Sequence, residues 1–333
     1  MIGAYSSEGE AMAANDPKLV TVFGGSGFVG RHVVRALVKR GHRVRVAVRR
    51  PDLANFLQPI GAVGQIHAVQ ANLRYPDSVA RAVDGADAVV NAVGILYETG
   101  KQRFGAVQAT GPKAIAEAAR DAGIGNFVQI SAIGADAGSK SDYAKTKAAG
   151  ETAVFNAVPG AVVLRPSIVF GPEDDFFNRF AAMARLSPVL PLIGGGKTRF
   201  QPVFVGDVAA AVAKAVSGEA KAGTVYELGG PQVFTFAELM ELMLKVIARK
   251  RLLVPVPGIP AKLMARVLEL LPKPLLTCDQ LIMLEKDNVV SDAAIAEGRT
   301  LAGLGLTTET LAAEPSYLYR FRAHGQFEAQ RSF

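Results

Sequence analysis

Tyr143 and Lys147 stand four residues apart in "SDYAKTK" (141–147), a separation that puts both side chains on one face of a helix. A free phenol, with a pKa of about 10, is a poor acid or base at neutral pH, whereas an adjacent ammonium favours the phenolate and lowers it. Twelve residues before the tyrosine, Ser131 offers a hydroxyl able to hold a substrate carbonyl. Ser131, Tyr143 and Lys147 are thus the residue types needed to move a proton beside a transferred hydride. YxxxK alone is frequent by chance, so its weight depends on the scaffold around it.

That scaffold starts at "VFGGSGFVGRHVV" (22–34), where an apolar stretch should turn into a helix. Gly24, Gly27 and Gly30 satisfy GxxGxxG, and Gly25, Gly27 and Gly30 satisfy GxGxxG. Glycines there allow a tight turn, let the backbone approach a pyrophosphate and let the helix pack on its strand, while the helix N-terminus offers free N–H groups. Gly24, Gly25, Ser26, Gly27, Phe28, Val29 and Gly30 are therefore the expected dinucleotide cradle. An NAD site commonly has an acid about 20 positions on, at the end of the second strand. Here that strand ends "AVRRPD", with Arg49 and Arg50 first and no acid until Asp52. Two guanidiniums suit a 2′-phosphate, so the expected cofactor is NADPH in preference to NADH.

"LVTVF" (19–23), "RVRVAV" (43–48), "QIHAVQ" (65–70), "DAVVNAV" (87–93) and "NFVQISAI" (126–133) read as strands, separated by helical patterns over about 28–40 and 113–123. Such alternation predicts an α/β fold, a Rossmann-type doubly wound parallel sheet with a smaller α/β C-terminal lobe. The expected organisation is a disordered leader over 1–17, an NAD(P)-binding domain over 18–160, and a lobe over 161–333 interleaved with it. Within the lobe, Asp207 is expected to cap an Ala-rich helix over 207–218, and Thr235 with Glu238 forms a capping-box start. Asp174 and Asp175 are expected to cap a helix near Phe176. "LLVPVPGIPAK" (252–262) should interrupt regular structure.

Composition narrows the function classes. One cysteine, Cys278, in 333 residues excludes an internal disulfide and a multi-cysteine metal site, and the four histidines have no ligand spacing; no metal is expected. No stretch approaches the ~20 apolar residues of a membrane-spanning helix. The net charge of +7 is concentrated in 31–50 and 245–275, suited to a solvated face or to an anionic membrane surface; no nucleic-acid partner is expected. The leader lacks the character of a signal peptide.

"GGSGFVG", "NAVG" (91–94), "QISAIGA" (129–135), "YAKTK" and "LRPSIVFGPED" (164–174) lie in the order of the atypical, extended short-chain dehydrogenases/reductases, which this sequence resembles over roughly 18–230. Within them, "KAAGE" (147–151) and "LPKPLLTCDQLIMLEKDNVVS" (271–291) resemble the nucleotide-binding accessory subunit of respiratory complex I and its bacterial relatives. The resemblance implies cofactor contacts from Asn72, Leu73, Ala92, Val93, Gly94 and Pro166, with Tyr143 and Lys147 on the nicotinamide ribose. Two departures stand out: Gln108 replaces the Asn usual in the family's proton relay, and Asn72 stands where many relatives have an Asp near the adenine.

Helix 260–274 combines Lys262 and Arg266 with a wide apolar face, which suits core packing or docking on a membrane or partner. Three functions follow from these expectations. The first is an NADPH-binding accessory or assembly protein of complex I or of the quinone-biosynthesis machinery, cytoplasmic and peripheral on the inner face of the cytoplasmic membrane. The others are a free-standing NADPH-dependent reductase or epimerase, and a nucleotide-sensing regulator.

Overall fold

The computed structural model describes residues 17–271, 274–308 and 315–325; the expected leader falls almost wholly outside them. β1 (Leu19–Phe23), β2 (Arg43–Val48), β3 (Ile66–Gln70), β4 (Ala88–Asn91), β5 (Phe127–Ile130) and β6 (Val162–Pro166) alternate with α1 (Phe28–Lys39), α2 (Pro76–Val83), α3 (Gly111–Asp121) and α4 (Asp142–Ala157). β-branched, apolar residues fill these strands because both sheet faces are covered by helices. α1 buries Gly30, Val33, Val34, Leu37 and Val38 at helical spacing. α2 and α3 cover the opposite face, where Phe23, Val89, Ile115 and Phe127 meet.

The lobe contributes β7 (Val169–Phe170), α5 (Phe177–Leu186), β8 (Val189–Ile193), β9 (Arg199–Phe200), β10 (Val203–Phe204) and α6 (Val205–Val216). There follow β11 (Val225–Leu228), β12 (Phe234–Thr235), α7 (Phe236–Val246), β13 (Leu252–Val256), α8 (Gly258–Leu268), α9 (Cys278–Met283) and α10 (Asp292–Ala296). The central sheet has seven strands in the order β11-β6-β5-β4-β1-β2-β3, every pair parallel. This is the doubly wound α/β architecture expected, and its strand order reverses between β1 and β4, where such sheets bind ligands. A separate core gathers Phe177, Leu190, Phe236, Leu239, Met240 and Met243.

Three local expectations are corrected. α6 begins at Val205 after Phe204, so Asp207 lies inside the first turn and is no cap; the apolar Val205 enters the core and carries the helix start with it. Residues 252–256 do form a strand, paired in parallel with β8 from Leu252↔Val189 to Val256↔Ile193. Pro255 is tolerated because this is an edge. A helix then starts at Gly258 with Pro260 in its first turn, where a missing N–H costs nothing. The Thr235–Glu238 capping box is present, and Asp174 accepts from Asn178 N at 3.1 Å at the head of α5.

Candidate nucleotide site

The turn from β1 to α1 is closed by Gly27 N donating to Gly24 O at 3.0 Å and by Gly24 N donating to Ala47 O at 3.2 Å. Gly24 has φ +76°, and a side chain on it would also press on Ala92 O at 3.0 Å. A Cβ on Gly30 would stand 2.1 Å from Gly24 O and 2.7 Å from Gly25 Cα, backbone against backbone. α1 starts with no capping side chain and no acid in its first turn, so its N-terminal N–H groups and partial positive charge are available to a pyrophosphate. Ser26 and Phe28 are half-buried, Gly27 is exposed, and Val29 packs against the core. The cradle therefore fits a dinucleotide.

Beyond β2, both Arg49 and Arg50 are exposed, and Arg50 is bound to Asp52 at 2.7 Å. With the Gln102 amide turned so that its oxygen faces it, Arg49 donates Nη2 to that oxygen at 3.0 Å. Of the other basic residues of 31–50, Arg31 is committed to Glu173, Arg40 to Glu219, and Arg45 to the carbonyls of Ala82 and Asp84, while Arg35, Lys39 and Arg43 are exposed. Asn72 follows β3, and its Oδ1 accepts from Arg74 N at 3.2 Å, shaping the turn. Leu73 and Val93 are partly buried, each packed against the core under α2 and α3.

Across β1, the ends of β4 and β5 are fixed by a buried amide pair. Asn91 Nδ2 donates to Gln129 Oε1 at 2.9 Å, and Asn91 Oδ1 accepts from Val93 N at 3.1 Å. Ala92, Val93 and Gly94 are thereby held in the mouth, with Lys147 Nζ 3.4 Å from where a Cβ on Gly94 would lie. Ser131 is 4% exposed, and its Oγ has no hydrogen-bond partner among the described residues. A buried hydroxyl with no partner costs free energy, and a ligand oxygen would satisfy it. Pro166, at the end of β6, accepts from Ile133 N at 3.0 Å.

α4 carries Tyr143 and Lys147, as the spacing predicts. Lys147 Nζ lies 5.8 Å from the Tyr143 ring centroid and 3.5 Å from Ile130 O, while Phe104 meets the tyrosine edge to face at 5.8 Å. The electrostatics reverse the expectation of a lowered phenol. Burial, and secondarily the Asp279 carboxylate, push Tyr143 up to about 12. Burial pulls Lys147 down to about 8 against the opposing pull of Glu151. Desolvation of both groups outweighs their mutual influence. Gln108 is buried in a π-helical turn over Gly105–Thr110. Its Nε2 donates to Ile95 O at 2.6 Å and its Oε1 accepts from Thr146 Oγ1 at 3.1 Å, so it braces α4 against the loop after β4.

Sequence reasoning missed the groups that hold α4 in place. Glu151 accepts two bonds from Arg165, at 2.9 and 2.5 Å. Asp279, from the far end of the chain, accepts from Ser141 Oγ at 2.8 Å and Asp142 N at 2.6 Å. The Asn91–Gln129 pair had a visible signal, two amides inside otherwise apolar strands. Asp279 had none, because nothing local ties it to a helix that begins 137 positions earlier.

The profile of the family described as "NAD dependent epimerase/dehydratase family" matches residues 20–229. The chain is 37% identical over 289 residues to the mitochondrial NADH dehydrogenase (ubiquinone) 1 alpha subcomplex subunit 9 of Arabidopsis thaliana, covering 83% of this chain and 72% of that protein. The mouse subunit of that name is 34% identical over 242 residues, covering 72% of this chain and 64% of its own length. A ceramide reductase of Caulobacter vibrioides is 36% identical over 199 residues, 60% of this chain and 61% of that one. In fold, the crystal structure of an NADPH-dependent quinone oxidoreductase of Escherichia coli, complexed with NADPH, superposes with a TM-score of 0.70 at 21% identity, covering 90% of this chain and 99% of that one. With the glycine turn, the parallel sheet and a family match over more than half its length, this chain belongs to the NAD-dependent epimerase/dehydratase family.

Proposed function

We propose that this chain is an NADPH-binding accessory or assembly protein of respiratory complex I that holds its nucleotide structurally while seated on an anionic membrane surface, on the inner face of the cytoplasmic membrane. The observation that carries this reading is the outer face of α8. Ile259, Leu263 and Val267 recur at helical spacing and are 84%, 66% and 60% exposed, with Leu270, 84% exposed, just past the helix end, whereas the buried face consists of Ala261 and Ala265. Exposed Lys262 and Arg266 stand beside the stripe, with Lys245 and Lys250 nearby in sequence. Full burial of a large apolar side chain contributes about 1.5–3 kcal/mol, and each basic residue near an anionic bilayer adds about 1 kcal/mol. Core packing, the other use considered for this helix, is not what these side chains do. Relatives in Arabidopsis thaliana and mouse named as mitochondrial NADH dehydrogenase (ubiquinone) subunits support the assignment of the partner.

NADPH over NADH rests on Arg49, the exposed guanidinium after β2 that has no carboxylate partner among the described residues, whereas the equally exposed Arg50 is paired with Asp52. When bound, such a dinucleotide supplies a hydride. Burial moves Tyr143 and Lys147 away from a phenolate–ammonium pair, which supports the holding reading beside the exposed face of α8. The test is recovery of the tagged protein from gently solubilised membranes, with its companions and its nucleotide identified. Complex I subunits together with stoichiometric NADPH are expected, and Leu263→Asp with Val267→Asp should release the protein from membranes. A wild-type protein recovered alone and free of membranes would overturn the reading.

A second reading, a free-standing NADPH-dependent reductase of a lipid-like carbonyl, is favoured by the unpartnered hydroxyl of Ser131 and by the relative named as a ceramide reductase. Tyr143→Phe separates the two. A reductase would lose NADPH oxidation by 100-fold or more, on the order of a lost general acid, and the accessory protein would keep its nucleotide and its partners.

A further inference from the structure

The chain from Pro274 to Val290 crosses the C-terminal ends of β4, β5 and β6. Gln280 Nε2 donates to Leu96 O at 3.4 Å after β4. Lys286 pairs with Asp136 at 3.2 Å, and Asn288 Nδ2 donates to Ile133 O at 3.2 Å, both after β5. Ser167 Oγ, after β6, donates to Asn288 Oδ1 at 2.7 Å. This strap thus spans the mouth on the Tyr143 side of the site.

Its central grip is on the first turn of α4. The N-terminal N–H groups of a helix have no partner within it. Ser141 takes the third by accepting from Ala144 N at 3.2 Å. Asp279 takes the first two, from Asp142 N at 2.6 Å and Tyr143 N at 3.4 Å, while also accepting from the Ser141 hydroxyl. A carboxylate there makes charge-assisted bonds and complements the helix dipole. Asp279 is itself held by the capping box of Thr277 and Gln280 at the head of α9. Leu281 of α9 packs with Ala261 and Ala265, the buried face of α8. An unbroken set of contacts therefore runs from the exposed stripe of α8 through α9 to the helix that carries Tyr143 and Lys147.

We propose that Asp279 is a positioning residue for Tyr143 and Lys147, and that through it docking on α8 and retention of the nicotinamide half of the nucleotide are coupled. This rests on the nucleotide-holding reading above and specifies its regulation. Because coupling is reciprocal, nucleotide binding also steadies α8. The glycine turn has no contact with the strap among the hydrogen bonds described, so the adenosine half is outside its reach.

The experiment measures affinity of the full-length protein for NADPH and for 2′,5′-ADP, which lacks the nicotinamide riboside, in wild type, Asp279→Asn and Asp279→Ala. Loss of NADPH affinity by about tenfold with unchanged 2′,5′-ADP affinity is expected, within the usual range of coupling. In wild type, NADPH should slow amide exchange over 261–268, and in Asp279→Asn it should not. Asp279→Asn keeps the shape of the side chain, and phenolate absorbance should show Tyr143 titrating at lower pH in it. Equal losses for both ligands, or no loss for either, overturn the inference while leaving nucleotide binding intact. A wild-type protein that binds neither ligand overturns the nucleotide-holding reading and this inference with it.

Discussion

The glycine turn after β1 and the helix that carries Tyr143 flank the same switch point and are built in opposite ways. The turn is made mainly within residues 22–34, by glycines whose missing side chains let backbone meet backbone, with Ala47 of β2 and Ala92 just after β4 closing on Gly24. The Tyr143 side is assembled from 91–95, Gln108, 129–131, Arg165 and the 274–290 strap, joined by polar bonds across large sequence distances. One region is specified by sterics that a single methyl defeats. The other is specified by partners, and is only as well set as those partners hold it.

The largest expected effect breaks the local region. Gly30→Ala places a Cβ 2.1 Å from Gly24 O, where only the backbone could give way. Unfolding free energy should fall by about 4 kcal/mol, with loss of bound nucleotide. Denaturant titration checks it, and a normally stable variant would show that the turn is not rigid. On the assembled side, Glu151→Ala takes away the bidentate partner of the Arg165 guanidinium and leaves it only Glu227, at 4.0 Å, which should cost about 2 kcal/mol. The double substitution Glu151→Met, Arg165→Met should recover most of that if the penalty is the stranded charge.

Next comes pH. Lys147 titrates at about 8 in the fold against an ordinary 10.5, so folding disfavours its charged form. That cost is fully present below pH 8 and is relieved as pH rises from 8 to 10.5. Tyr143, held at about 12 against an ordinary 10.0, acts oppositely: stability is lost as pH rises from 10 to 12. Lys147→Met should therefore stabilise the protein at pH 7 by about 2 kcal/mol and flatten the rise above pH 8; a rise that persists would mean another group causes it. The smallest structural effect is at the cofactor's far end. Arg49→Asp should leave thermal stability unchanged and weaken NADPH by about tenfold relative to NADH, whereas Arg50→Ala should alter neither.

The strands β1 and β2, the start of α1, the Thr235 capping box and the pairing of Tyr143 with Lys147 on one face were all legible as short patterns. Each depends on neighbours a few residues away. The strand at 252–256 was not, because two prolines argue against regular structure until a partner strand at 189–193 makes the segment an edge. The exposure of α8 was likewise illegible: Ile259, Leu263 and Val267 read equally well as core. The direction of the Tyr143 and Lys147 shifts was misread for a related reason. Proximity of the two groups is a local fact, but their desolvation is set by Phe104, by the strand ends and by the strap.

By itself, then, the sequence determined the doubly wound sheet, the dinucleotide turn and the identity of the Ser131, Tyr143 and Lys147 set, since periodicity, glycine spacing and helical phase are properties of contiguous chain. Only the tertiary structure decided that Asp279 closes the N-terminus of α4, that Glu151 and Arg165 anchor it, and that an apolar helix face is left open beside them. Those depend on which distant segments meet, and it is there that burial sets the charges on which holding or turning over a nucleotide depends.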